Sequence, residues 1–231
     1  MLLTLGHTNA KTIKSDNAGL GYLTAIQYLA PYTLSGFNVC KHASDGCAKG
    51  CLNTAGRGKT NIVQQARIKR TQFFFENKPA YKYALFEEIT KFVKRCDKLE
   101  QKPAIRLNGT SDLPWEDIFP DMFVKFPMVQ YYDYTKYVNR MLNFINGKLP
   151  DNYHLTFSRS EINDSECLEV LRKGGNVAVV FMSKQLPQKW KRFKVHNADS
   201  HDLRFLDNFG VQGLYAKGRA RKDSSGFVVL A

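Results

Sequence analysis

The sequence predicts an α/β fold in which parallel strands alternate with helices to build a partial (βα)6 barrel. Three observations predict it. Six short runs rich in β-branched and aromatic residues are spread along the chain, at Tyr22 to Leu29, Ala104 to Leu107, Val129 to Tyr134, Tyr153 to Phe157, Val177 to Phe181 and Val211 to Ala216. Segments with helical spacing separate several of them, and strands joined by helical crossovers are parallel, because no tight turn can link parallel neighbours. The chain has 231 residues, which suits six such units better than the eight that typically need about 250.

Taken in order, Tyr22 to Leu29 ends at Pro31 and leads into a cysteine-containing loop. Asn61 to Glu76 mixes polar and apolar residues with good helix formers, and Pro79 suits the first turn of a second helix. In that helix Leu85, Ile89, Phe92 and Cys96 recur at steps of four, three and four, which places them on one apolar face. Val138 to Ile145 repeats Met141, Leu142 and Ile145 at helical spacing, and Ser165 to Arg172 is stopped by Gly174-Gly175. No Pro/Ser-rich linker divides the chain, so a single domain over 1–231 is expected. It contains neither a basic segment followed by a long apolar run at the N-terminus nor eighteen consecutive apolar residues. The expectation is a protein without a membrane partner, working in a reducing cytoplasm.

Chemistry is concentrated in loop 40–51. Cys40, Cys47 and Cys51 fall within twelve residues, and thiolate is a soft ligand suited to iron–sulfur clusters and zinc. Gly46 and Gly50 are expected to give the loop freedom to wrap around a metal, and three ligands leave one coordination position open. An odd total of five cysteines argues against a disulfide framework. Two alternatives stay open: structural zinc held by the three thiolates and His42, and inert buried thiols. His42 could equally donate to a cluster sulfur. Cys96 and Cys167 lie in helix-like segments and are expected in the core.

Polar residues follow each expected strand, where ligands of parallel α/β folds bind. They are Asn108-Gly109-Thr110-Ser111-Asp112, Asp133 to Lys136, Ser158-Arg159-Ser160-Glu161 and Lys217 to Arg219. A shared polar rim is the expectation. The net charge is +13, from 34 Lys and Arg against 21 Asp and Glu. It is concentrated at Arg57, Lys59, Arg67, Lys69 and Arg70, again from Lys184 to Lys194, and at Lys217, Arg219, Arg221 and Lys222. Such an excess fits nucleic acid or an anionic small molecule, or a merely solvated surface. Arg57 between two glycines could grip a phosphate or form a turn. His196, Asp199, His201 and Asp202 fit a hard-metal or acid–base site, or turn formers and a helix cap.

Over nearly its full length the chain resembles the phage family known as gene product 88. The segments that carry the likeness include Cys40-x-His-Ala-Ser-x-Gly-Cys47-x-x-x-Cys51, Arg106-Leu-Asn-Gly-Thr-Ser-Asp112, Tyr132-Asp-Tyr-Thr-Lys136, His154-Leu-Thr-Phe-Ser-Arg-Ser-Glu161 and His201-Asp-Leu-Arg-Phe-Leu206. That resemblance implies action inside a bacterial host and brings no settled activity. The order of cysteine loop, Thr-Ser-Asp, Thr-Lys and a Ser-containing strand end is also similar to radical S-adenosylmethionine proteins. This second resemblance implies a radical-SAM-like partial barrel carrying a 4Fe-4S cluster on Cys40, Cys47 and Cys51, with S-adenosylmethionine or a related ligand on the open iron. Asn108, Gly109, Thr110, Ser111, Asp112, Lys136, Ser158, Arg159 and Glu161 would line the cofactor, and no catalytic residue is implied. The cysteine gaps of six and three depart from that superfamily's usual three and two. A metal-braced nucleic-acid-binding protein is the alternative, and a redox or iron-sensing module a third reading.

Overall fold

The computed structural model describes residues 1–5, 13, 15, 16 and 18–230, and the six expected strands lie side by side in it. The strands are β1 (Leu3–Leu5), β2 (Tyr22–Gln27), β3 (Lys102–Arg106), β4 (Gln130–Thr135), β5 (Tyr153–Ser158), β6 (Val177–Phe181), β7 (Lys189–Trp190), β8 (Phe193–Asn197) and β9 (Val211–Tyr215). Their order in one sheet is β1-β2-β3-β4-β5-β6-β9-β8-β7. Strands β2 to β6 and β9 are parallel neighbours throughout, and these are the six expected from sequence. Antiparallel pairs close each edge, β1 on β2 and β7 on β8. Among the described residues β1 and β7 do not pair, so the sheet is mostly parallel and open.

The helices are α1 (Asp45–Lys49), α2 (Asn61–Glu76), α3 (Lys78–Lys98), α4 (Trp115–Ile118), α5 (Pro120–Lys125), α6 (Val138–Ile145) and α7 (Asp164–Arg172). Helix α3 starts where Asn77 accepts from the Ala80 N–H at 3.1 Å, with Pro79 in its first turn, and it buries Leu85, Ile89, Phe92 and Cys96 as the spacing predicts. Cys167 is likewise buried. Helix α7 stops at Gly174, whose φ of 87° suits glycine, while a Cβ on Gly175 would come within 2.8 Å of Met141 and Val170. None of the described helices is long and apolar enough to cross a membrane.

The two faces of the sheet differ. Ile105, Tyr131, Leu155, Phe157, Val177, Val179 and Val211 enter the main apolar core with the buried faces of α2, α3, α6 and α7. The opposite face carries Arg106, Tyr132, Tyr134, His154, Thr156 and Gln212, with Tyr132 beside His154 and Tyr134 beside Thr156 in register. Residues 198–207 lie over it: Leu203 and Phe205 pack with Ala104, Tyr132 and Tyr22, and Asp202 pairs with Arg106 at 3.1 Å. The βα rhythm therefore fails once, between β6 and β9. There the chain makes the β7–β8 hairpin, turning through Lys191 and Arg192 at φ 46° and 75°, and then the covering segment.

Candidate functional site

Parallel strands deliver their carboxyl ends to one edge, and hydrogen bonds join the loops there. The Cys40 thiol faces the Thr110 carbonyl at 3.7 Å, and the Asp112 N–H donates to Val39 just before Cys40 at 2.8 Å. The Asp112 carboxylate accepts from the Lys136 N–H at 2.8 Å and from Arg140 at 3.2 Å. Lys136 Nζ donates to Ser158 Oγ at 2.6 Å, with the Ser158 and Arg159 carbonyls 3.4 Å away. Glu161 accepts from Ser44 Oγ and from the Gly46 N–H, both at 2.7 Å, and Ser44 caps α1 by accepting from the Cys47 N–H. Three of the four expected polar segments, 108–112, 133–136 and 158–161, thus join the cysteine loop in one connected polar edge, while Lys217 pairs with Asp199.

Several expected site residues prove to be its frame. Asn108 Oδ1 accepts from Ser111 Oγ, the Leu113 N–H and Trp115 Nε1, while its Nδ2 donates to Leu113 and Asp133. Arg159 donates to Asp164 and to the Gly226 and Phe227 carbonyls. A Cβ on Gly109 would meet the Gln27 carbonyl at 2.6 Å and Ile26 and Tyr28 at 2.7 Å, so glycine is required by the close approach of β3's end to β2. The expected wrapping freedom of Gly46 and Gly50 is corrected in the same way. Both have ordinary negative φ, and a Cβ on Gly46 would collide with Ser225, Phe227 and Glu161 within 2.8 Å; the need is for space. Lys136, Ser158 and Glu161 lie on the edge that joins the cysteine loop, with hydrogen-bonding capacity left over, while Ser111 is bonded into the Asn108 frame.

The three thiols are half-buried and lie within electrostatic reach of one another. Burial pushes the Cys40 thiol up to about 12, helped by its two neighbours and Asp112 and opposed by the Tyr32 backbone. Burial also raises Cys51, which Arg67 and Lys136 draw down. Among the described residues no three His, Cys, Asp or Glu side chains are gathered as a ready ligand set, so the donors are assembled on one loop without being closed on a centre. The donor chemistry fits a thiophilic metal or cluster, and loading would displace the thiol protons. His42 is exposed and stacks on Tyr137 with ring centroids 4.4 Å apart, rather than hydrogen-bonding to a sulfur.

The second expected cluster is not gathered as a metal site among the described residues: His196 lies in β8, Asp202 pairs with Arg106, and Asp199 and His201 bond nearby groups. Asp199 accepts from the Tyr215 N–H and Lys217, His196 hydrogen-bonds the Phe209 carbonyl at 3.0 Å, and His201 accepts from the Leu203 N–H. Two features escaped the sequence. One is a buried network in which Arg140 holds Glu116 at 2.6 Å and Tyr153 at 2.6 Å, and Tyr153 donates to Asp133 at 2.7 Å; a cavity of about 510 Å³ lined by Glu116, Tyr137 and Arg140 adjoins it. The other is Arg67, buried with Thr71 and Phe74 at steps of four and three along α2, a spacing visible in the sequence but masked by the basic run around it.

The model of one protein family, described as gene product 88, matches residues 1–231. No curated protein and no solved structure matches the chain.

Asp133 generates a pH prediction. Burial pushes its carboxyl up to about 7 against the pull of Tyr153, Arg140 and the Asn108 N–H. Between about 4 and about 7 the folded state holds a proton there that the unfolded chain has released, so this group's contribution to stability falls as pH rises through that window. Urea denaturation at stepped pH should show Asp133→Asn gaining on the natural protein from about pH 4 to about pH 7, with a constant difference above. A difference independent of pH would overturn the assignment.

Proposed function

The chain belongs to the gene product 88 family, and we propose that it binds a 4Fe-4S cluster through Cys40, Cys47 and Cys51, with S-adenosylmethionine or a related ligand held on the adjoining rim. The observation that carries the reading is the position of the three thiols. They stand on one loop at the carboxyl edge of six parallel strands, tied to Thr110 by Cys40 and to Glu161 through Ser44 and Gly46. The six-strand run with its carboxyl-edge rim also supports the finer description of the fold as a radical-SAM-like partial barrel, with the edge strands as additions to it. The fourth iron of such a cluster has no cysteine, and when bound the group supplies one electron for reductive cleavage. In this reading Lys136, Ser158 and Glu161 contact the bound ligand, and Asn108, Gly109, Thr110, Asp112 and Arg159 hold the edge in shape. Membership of the gene product 88 family supports extending the proposal to action in a bacterial host cytoplasm.

A second reading rests on a different contact. Gly218 packs within 3.2 Å of Ala55 once a Cβ is built on it, so the segment 217–222 lies against the cysteine loop. Exposed Arg219, Arg221 and Lys222 thus join Arg57 and Lys59 around it, and among the described residues none of these five is in an ion pair. Basic side chains clustered about a metal-braced loop suit a nucleic-acid backbone.

Protein made with adequate iron and kept free of oxygen should absorb broadly near roughly 400 nm and carry about four iron and four sulfide per chain. Replacing Cys40, Cys47 or Cys51 by Ala should abolish this, while Cys96→Ala and Cys167→Ala leave it intact; zinc in stoichiometric amount without sulfide would sink the cluster. On adding S-adenosylmethionine, the reduced protein should change its electron paramagnetic resonance spectrum and release 5′-deoxyadenosine, and a silent spectrum from a verified, reduced cluster removes the radical activity. For the second reading, nucleic-acid affinity should fall steeply with salt, and Arg219→Ala with Arg221→Ala should lower the slope of log affinity against log salt by about one for each residue. Absence of binding at low salt ends that reading.

A further inference from the structure

Of the five arginines buried among the described residues, four have carboxylate partners. Arg106 is paired with Asp202, Arg140 with Asp112 and Glu116, Arg159 with Asp164 and Arg204 with Asp207. Arg67 has none. It is 7% exposed, and its Nη1 donates to the neutral side chain of Asn53, two residues beyond Cys51. Its guanidinium lies 4.6 Å from the centre of the Tyr28 ring, and its Nε has no acceptor. The ring and the amide solvate a cation partially, and neither neutralises it. Lys136, just after β4 on the carboxyl edge, is half-buried and alike in kind: its Nζ is met by a hydroxyl and two carbonyls and by no carboxylate. Arg67 is joined to the Cys51 end of the loop through Asn53, and Lys136 to its Cys40 end through Asp112, which accepts the Lys136 N–H and donates its own N–H to Val39.

A buried charge without a counter-ion is costly, and a fold retains one where an anion is to be received. The three thiolates supply that anion. A zinc ion and an oxidised four-iron cluster each bring two positive charges, so either centre on three thiolates is net negative. We infer that Arg67 and Lys136 form the counter-charge of the centre built on Cys40, Cys47 and Cys51, with Arg67 as a positioning residue that fixes how tightly the centre is held and how readily it is reduced. The inference rests on the reading of those cysteines as a metal centre. Adding an electron increases the negative charge beside Arg67, so the guanidinium favours the reduced state more than the oxidised one.

The test uses zinc alone as probe, titrated anaerobically into the full apo chain against a competing chromophoric chelator. Arg67→Gln is expected to bind about 10–100-fold more weakly, Arg67→Lys to recover most of the loss because it keeps the charge, and Lys69→Gln, exposed on the same helix, to bind like the natural protein. In cluster-loaded protein, Arg67→Gln should move the reduction potential to more negative values at unchanged iron and sulfide content, a response that loss of packing alone would not give. Equal zinc affinity in folded Arg67→Gln overturns the inference and leaves the metal reading standing. If Arg67→Gln does not fold, an unchanged affinity in Lys136→Gln overturns it instead. Natural protein that takes up neither zinc nor iron overturns both.

Discussion

The carboxylate of Asp112 holds the candidate site together. Its two oxygens receive the Lys136 N–H and the Arg140 guanidinium, and its own N–H is given to Val39 immediately before the first cysteine. One residue in the loop after β3 thereby fixes the approach to the cysteine loop, the start of the loop after β4 and the position of α6. The parallel sheet brings these segments to a common edge, and Asp112 sets the distances between them. Lys136 is presented to Ser158 because Asp112 anchors its backbone N–H while the Ser158 hydroxyl receives its ammonium. Asn108 performs the corresponding task toward the helices, collecting the Trp115 indole and the Asp133 carboxylate around one amide.

Charge inside the molecule is divided into two kinds. On the sheet face covered by residues 198–207, Arg106 and Arg204 are matched by Asp202 and Asp207, and burial with the nearby Arg204 lowers His154 to about 4, so that side chain is neutral near pH 7. That face is polar but balanced. At the carboxyl edge the balance is lost, since the Arg67 guanidinium and the Lys136 ammonium have no carboxylate partner beside the loop of Cys40 and Cys51, whose thiols burial pushes up. A fold that pairs its other buried arginines and leaves this one unmatched concentrates its electrostatic asymmetry at the cysteine loop.

Much of the architecture was legible because the main-sheet strands carry β-branched and aromatic runs and the helices carry clear apolar spacing, as at Leu85, Ile89, Phe92 and Cys96. The rim was legible because parallel topology dictates where strand ends gather. Strands β7 and β8 were not legible: Lys189, Lys191, Arg192 and Lys194 read as surface charge, and the hairpin turn uses two non-glycine residues at positive φ where Asn-Gly would have been a signal. The glycines of the site misled for a related reason. Sequence shows that a residue lacks a side chain, and only the packing shows that Gly46 and Gly109 lack one for want of space. Arg67 was hidden by its neighbours Lys69 and Arg70, which share its charge without its burial.

The strand order has a consequence for how the chain assembles. Strand β9 lies between β6 and β8, although the β7–β8 hairpin precedes it in sequence. During synthesis the hairpin emerges with no partner strand to dock on, and β6 keeps a bare edge until residues 211–215 leave the ribosome. The isolated bridge from Phe181 to Val229 then closes the same region, bringing Phe227 to the ring contact with Lys136. Residues 211–229 therefore seal the sheet and complete the wall of the cysteine loop, so a nascent chain can form its earlier helices while the thiols stay uncovered until this segment has emerged.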